Sequence, residues 1–261
     1  LERLFLLTDD IDVYLVDDNS TDGTSNMIQE HFPRVNIIKG DGKLYWNRGM
    51  LKAWEQASKF DYEAYIWLND DVFLYKNAFS EIQRCAKETN YSSIICGAFE
   101  SKDKSSFTYG GRNVMHEPIV PNGQLQKVFY LNGNFTFVPK KVFNKIGMLD
   151  GLYWHHKGDY DYGLKAIGSD IPVLTTPEYI GSCELNKEIE FRARKSGVNL
   201  YGRFSALYSP LGSNPYTEFV FHMRHFGFIS AMKIYLLLHL INILPDTIYY
   251  KLTRSNRKRN H

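Results

Sequence analysis

Twice in the first half of the chain a run of Val, Ile, Leu, Tyr and Trp stops at a pair of aspartates, in VYLVDD at Asp17 and Asp18 and in YIWLNDD at Asp70 and Asp71. Such runs, bounded by polar turn residues, read as buried strands, so each carboxylate pair falls at the carboxyl end of a strand. In open α/β sheets that edge is where ligands bind. A third acidic group follows later, with Asp159 and Asp161 in GDYDYGLKA. Like charges gathered in a partly dry site repel unless a cation or a hydrogen-bonding ligand satisfies them. The pattern points to a metal ion and a polar substrate.

Between the acidic groups the chain alternates strand and helix signals. Residues 4–7 read as the end of a helix and 13–16 as a strand; a capping loop at 19–23 leads into a helix over 24–31, which Pro33 stops. A strand at 35–38, a glycine-bearing loop at 40–42, a helix at 47–60 and a strand at 65–68 follow. Further on come a helix at 81–87, a strand at 94–99 and a loop-rich stretch at 100–126. A strand at 129–139 kinked at Gly133, a short helix at 141–146, a helix opened by GDYDYGLKA and a strand at 171–175 complete the domain. Alternation of this kind predicts the α/β class, with a mostly parallel central sheet flanked by helices.

At 261 residues the chain is long enough for one such domain, placed at 1–216, with a helical appendage at 217–261. A net charge of +2 excludes a broad nucleic-acid-binding surface. Cys85, Cys96 and Cys183 are odd in number and form no CxxC pair, which argues against a disulfide framework or structural zinc and for a reducing, cytoplasmic compartment. Residues 226–244 are apolar apart from Ser230, Lys233, His239 and Asn242. As one helix they would reach roughly 28 Å, against a hydrocarbon core of about 30 Å. Lys251, Arg254, Arg257, Lys258 and Arg259 follow Pro245, each worth about 1 kcal/mol near an anionic leaflet. Because Lys233 and His239 interrupt the run, a helix lying in the membrane interface fits better than a span. A buried helix pair or a homodimer interface is the structural alternative.

Four motifs in order, VDDNSTDGT, DGKLYWNRGM, LNDDV and GDYDYGLKA, resemble those of glycosyltransferase family 2 enzymes, notably bacterial polysaccharide and rhamnosyl-type transferases. The resemblance covers most of residues 11–180 and implies the GT-A, Rossmann-like fold. It implies an inverting, metal-dependent transfer of a sugar from a nucleoside-diphosphate-sugar donor to a saccharide or lipid-linked saccharide acceptor, in surface polysaccharide synthesis at the cytoplasmic membrane face. By the same resemblance Asp17 and Asp18 meet the nucleotide base, with Asp18 the favoured member; Asp70 faces the ribose, and Asp71 holds Mg2+ or Mn2+ against the diphosphate. Gly42, Trp46 and Arg48 line the nucleotide-sugar pocket, and Arg48 reaches a phosphate.

Asp159 is the expected base that deprotonates the acceptor hydroxyl, with Asp161 as the alternative. The two lie two residues apart, so on a helix they diverge, and only one faces the site. Gly158 stands where many relatives carry Glu. His155 and His156 are further contact candidates, as are His222 and His225. Relatives also open with an apolar strand and a Pro-Thr-Tyr-Asn-like turn, which the residues before Leu4 do not supply. Two rivals remain: a nucleotidyltransferase, which should show a basic glycine-rich phosphate loop near its first strand, and a catalytically silent nucleotide-binding scaffold of a membrane glycan assembly.

Overall fold

The computed structural model describes residues 1–185 and 193–257, with side chains through residue 252. The chain forms two compact units, 1–185 and 186–261. This division falls ahead of the 216/217 boundary read from the sequence, because the helix at Leu200–Leu207 packs with the tail helix at Phe228–Ile243.

The first unit begins with α1 (Glu2–Leu7), β1 (Tyr14–Asp17), α2 (Thr24–His31), β2 (Asn36–Lys39), α3 (Tyr45–Ala57), β3 (Ala64–Leu68), β4 (Phe73–Leu74) and α4 (Ala78–Glu88). It continues with β5 (Ile94–Glu100), β6 (Phe107–Tyr109), β7 (Gln126–Lys127), β8 (Phe135–Pro139), α5 (Lys140–Ile146), α6 (Gly158–Ile167) and β9 (Val173–Ser182). β1 and β2 pair in parallel as a two-stranded sheet, while the main sheet runs β3-β8-β5-β9-β4, with β6 on β5 and β7 on β9. Among the described residues, neither β1 nor β3 has a second strand partner.

The class is α/β with helices on both sheet faces, as the alternation predicts, but the pairing is mixed rather than mostly parallel. β8 runs antiparallel to both β3 and β5, whereas β5 and β9 are parallel. The reason lies in the connections. A parallel return needs a crossover, normally a helix, and α4 provides one between β3 and β5; β8 is reached through the loop-rich stretch with only the short β6 and β7. The consequence is local: the start of β8 lies beside the carboxyl end of β3, with Phe135 opposite Leu68.

Side chains alternate across the sheet with period two. Tyr65, Trp67, Ile94, Cys96 and Val138 join Trp54 of α3, Val142 of α5 and Tyr162 of α6 in one core layer. Ile95, Phe99, Phe135, Phe137 and Ile180 join Ala78, Ile82 and Cys85 of α4 in the other. Trp54 and Trp67 are 3% and 1% exposed, and their rings meet edge-on at 5.4 Å, so the aromatic-rich first layer is fully packed. All three cysteines are buried free thiols.

The second unit contains α7 (Leu200–Leu207), α8 (Pro215–Phe226), α9 (Phe228–Ile243) and α10 (Asp246–Arg257). The apolar run is not one helix, because Gly227 at φ 82° breaks it and leaves α9 with 16 residues. That is roughly 24 Å of helix. Among the described residues no helix is long and apolar enough to cross a membrane. Of the basic residues that follow, Lys251 is exposed on α10 and Arg254 and Arg257 lie on the same helix, while Lys258 and Arg259 fall outside the described residues.

Arg194 joins α9 to α10. Its buried guanidinium donates to the carbonyl oxygens of Ile241 and of Leu244 (3.0 Å) and pairs with Asp246, while Arg203 also donates to Leu244. These carbonyls end α9 and have no partner within the helix. Arg194→Ala leaves them and Asp246 without that partner and is expected to destabilise the second unit by about 3 kcal/mol. Chemical denaturation followed by far-UV circular dichroism checks this, and Arg194→Lys should recover only part of the loss because a point-like ammonium does not reproduce the planar fork.

Candidate active site

Asp17 and Asp18 end β1 but do different work. Asp17 is 3% exposed; it accepts from the Ser20 amide at 2.8 Å and from the Ser25 hydroxyl, and pairs with Lys39 at 3.1 Å. The Ser25 and Ser20 hydrogen bonds hold its carboxyl well below the usual carboxylate range. Within the protein, Asp17 ties β1 to the start of α2 and to Lys39 of β2. Asp18 accepts backbone N–H groups from Gly42 (2.8 Å), Leu44 (2.8 Å) and Tyr45 (3.3 Å), so its carboxylate shapes the loop that leads into α3. Gly42 turns there at φ 81°. At Gly40 a Cβ would come within 2.3 Å of the Asp18 carboxylate. Each carboxylate oxygen has two acceptor sites, so Asp18 keeps capacity for a further donor.

The same loop delivers Trp46. Its indole N–H donates to Asn69 Oδ1 at 2.7 Å, and its ring lies so close to Gly133 that a Cβ there would meet it at 2.3 Å. The Asn69 amide donates to the Asn134 carbonyl at 3.0 Å, extending the β3–β8 ladder up to the acidic turn. Asp70 and Asp71 follow on that turn, both exposed. Partial burial of its carboxyl, then the charge of Asp70, push the Asp71 pKa upward. The Cys183 thiol, itself pushed up to about 11 chiefly by burial and next by Asp71, accepts from Asn134 Nδ2 at 3.7 Å.

Gly133 also reaches the third acidic group, donating its amide to Asp159 Oδ2 at 3.2 Å; the Tyr160 amide donates to Oδ1 at 2.8 Å. Burial pushes the Asp159 carboxyl up to about 6, against the lowering effect of those amides and of His156 and Lys157. Asp161 is 4% exposed and accepts from the Tyr153 hydroxyl at 2.9 Å. As their spacing on α6 requires, the two carboxylates part, and Asp159 is the one beside Gly133 and Trp46. The missing Glu at 158 has a physical explanation: a Cβ on Gly158 would fall 1.7 Å from Asn47 Oδ1. Asn47 is fully buried, and its Nδ2 donates to the carbonyls of Asp150 and Tyr153, both at 2.8 Å.

Arg48 is held within the protein: its Nε donates to the Gly151 carbonyl at 2.9 Å and its guanidinium lies 3.4 Å from the Trp154 ring centre, so it braces the segment before α6. His222 lies in α8, where it meets Ser230 at 2.8 Å. Sequence reasoning missed Asn47, Asn134, Tyr153 and Cys183. A signal existed for one of them, because Asn132-Gly133-Asn134 interrupts a strand-like run with small and amide residues, the mark of close backbone approach.

The four motifs thus meet through short contacts across the two sheets, without forming a compact metal cage. Among the described residues no group of three or more His, Cys, Asp or Glu side chains could hold a metal. Asp70 and Asp71 supply two exposed hard oxygen donors, and the like-charge repulsion felt by Asp71 is what a cation relieves. That donor set fits a Mg2+- or Mn2+-type ion taking one or two carboxylates and its remaining oxygens from phosphates and water.

A central sheet flanked by helices, with acidic turns at one edge, is the GT-A fold of glycosyltransferases. The profile of the family described as "Glycosyl transferase family 2" matches residues 1–147. The chain belongs to that family. Among solved structures it resembles S. aureus TarS 1–349 in complex with UDP-GlcNAc, with a TM-score of 0.52, 14% identity, and coverage of 92% of this chain and 67% of that one. It also resembles the mannosyltransferase PcManGT from Pyrobaculum calidifontis in complex with GDP-Man and Mn2+, with a TM-score of 0.52, 13% identity, and coverage of 100% and 76%. In the match to the UDP complex of TarS 1–349 the chain spans 54% of that structure's length. At these identities the likeness shows the fold. No curated protein sequence is detectably similar to the chain.

Gly158→Ala is expected to destabilise the first unit by about 2 kcal/mol through overpacking against Asn47. In the Asn47→Ala background, where the obstructing amide is gone, Gly158→Ala should cost less than it does in wild type. Denaturant midpoints of the four proteins in this cycle check the coupling.

Proposed function

We propose that this chain is an inverting, metal-dependent glycosyltransferase that moves a sugar from a nucleoside-diphosphate donor to a hydroxyl of a saccharide or lipid-linked saccharide in surface polysaccharide synthesis. The observation that carries the reading is Gly133, whose amide donates to Asp159 and whose bare backbone carries the Trp46 ring, itself bonded to Asn69 just ahead of Asp70 and Asp71. Asp18 and the loop it shapes receive the nucleotide. Asp70 and Asp71 face the ribose and the diphosphate, and a divalent ion bound there would stabilise negative charge on the departing phosphate oxygen. Asp159 takes the proton of the acceptor hydroxyl as its oxygen bonds to the anomeric carbon and the carbon–phosphate-oxygen bond breaks, with inversion. A base with its pKa raised to about 6 is ionised at neutral pH and more basic than an ordinary aspartate. The nucleotide-bound and Mn2+-bound neighbours support the donor and cofactor assignments.

A thermal-shift series with UDP-, dTDP- and GDP-sugars, with and without Mn2+, tests this. One donor should raise Tm in a metal-linked way. Asp71→Asn should lose the metal-linked part, and Asp159→Asn should keep the shift while turnover falls at least about a hundredfold. Turnover should rise with pH through about 6 as Asp159 ionises. The stability sign is opposite: a folded carboxyl that keeps its proton to about 6, against the usual 3.8, favours folding at low pH, and that contribution is lost as pH rises through about 6. Asp159→Asn should therefore be more stable than wild type above pH 6 and lose the advantage below about 4. A donor that binds in both variants with no transfer by wild type supports the silent scaffold instead.

The second unit is proposed to lie on the cytoplasmic face of the membrane. Ile229, Lys233, Leu236, Leu237, Leu240 and Ile243 of α9 are all exposed and share one face, opposite the buried Ala231, Leu238 and Asn242. An apolar stripe with a lysine able to snorkel suits a lipid interface. Wild type should float with phosphatidylglycerol-rich vesicles and less with phosphatidylcholine, and Leu237→Asp/Leu240→Asp should abolish flotation. A dimer in solution that this pair dissociates, without vesicle binding, would assign the face to a homodimer.

A further inference from the structure

Asp159 stands between two sets of rings. On its Oδ2 side are Gly133 and Trp46, which lead to the acidic turn; on its Oδ1 side the chain continues directly into Tyr160. The Tyr160 ring meets Tyr130 at 4.9 Å between centroids, and Tyr130 is covered by His116, stacked at 3.9 Å with 10° between planes. His116 is exposed, yet the turn around it is tightly built. It holds a left-handed backbone, φ 64°, and its amide donates to the Asn113 carbonyl at 3.0 Å. Asn113 Oδ1 accepts the amides of Met115 and Glu117 at 2.9 and 3.0 Å, and Arg112 donates to the His116 carbonyl at 2.8 Å. A residue other than glycine held in that region pays strain, which persists where surrounding contacts fix it. Here the fixed result is an imidazole laid flat at the end of a three-ring row that starts at the base. Burial, Lys157 and Arg112 lower the His116 pKa, which keeps the ring neutral and its face apolar at neutral pH.

A pyranose presents an apolar C–H face and a rim of hydroxyls. It therefore suits an aromatic face bordered by charged and polar groups, and Arg112, Lys157 and Glu117 supply that border. We propose that the row His116–Tyr130–Tyr160 is the acceptor ledge: the acceptor's terminal sugar stacks on the exposed His116–Tyr160 side and offers its hydroxyl to Asp159. This deepens the transferase reading and rests on it, naming a saccharide as the group recognised at the base.

The test uses the full chain with the donor that raises its Tm, and a panel of methyl glycosides of common hexoses, N-acetylhexosamines and 6-deoxyhexoses as acceptor probes. Saturation-transfer NMR should show at least one glycoside bound to wild type through the protons of one ring face. His116→Ala should raise its KM about tenfold, a change within the range of a lost aromatic contact, with a smaller effect on kcat. His116→Trp should restore the affinity, which a merely structural role in the turn would not predict. The donor-linked thermal shift should be the same in all three proteins. Absence of glycoside binding to a wild type that binds donor overturns the ledge, as does binding indifferent to His116→Ala. A wild type that shows no donor-linked shift overturns the transferase reading itself, and the ledge with it.

Discussion

The close approach of Trp46 to Gly133 decides where the acidic motifs come to rest. No side chain intervenes at 133, so the indole lies on bare backbone, and its N–H is aimed at Asn69. The glycine amide on the same residue faces Asp159. One contact therefore fixes the loop after Asp18, the turn of Asp70 and Asp71, and the start of α6 against one another. Any larger residue at 133 would push the indole away and separate all of them. The antiparallel course of β8 is the precondition, since only a strand starting at the carboxyl edge of β3 brings residues 132–134 there.

In two of the three acidic groups the fold uses one carboxylate and leaves the other at the edge. Asp17 is absorbed by Ser20, Ser25 and Lys39, and Asp161 by Tyr153, whereas Asp18 and Asp159 accept only backbone N–H groups among their hydrogen bonds described above. The division has an electrostatic logic. A carboxylate held by hydroxyls and an ammonium loses basicity, as Asp17 does, while one desolvated by burial with only two amide donors gains it, as Asp159 does. Identical residue types thus end up as a structural anchor and a candidate base through environment alone.

Much of this was legible in the sequence, and the reasons for success and failure are physical. Strands such as 65–68 and 94–99 declare themselves because their apolar runs fill the core, fully buried in β5 and alternately so in β3, and the carboxylates that follow them mark the edge. Periodicity carries no strand direction, so the antiparallel β8 had to come from the connections. Gly227 inside an apolar run looked like one more small residue, whereas its positive φ makes it the break between α8 and α9. Arg48 shows the same limit from the other side: composition offers a guanidinium near a nucleotide loop, but the Trp154 ring and the Gly151 carbonyl, more than a hundred residues away, had the stronger claim on it.

Gly158 shows how a departure from a family pattern is to be weighed. By motif alone, the absence of the expected acidic residue next to Asp159 weakens the assignment of the base. In the structure the space is already filled by Asn47, whose amide holds the two carbonyls that shape the approach to α6. With Asn47 in this place any side chain at 158 is excluded sterically, so the two residues act together. What the pair preserves is the position of the helix start, and with it the one carboxylate that Gly133 can reach. The missing acid therefore changes how the segment is braced while leaving the Asp159 carboxylate on the Gly133 amide.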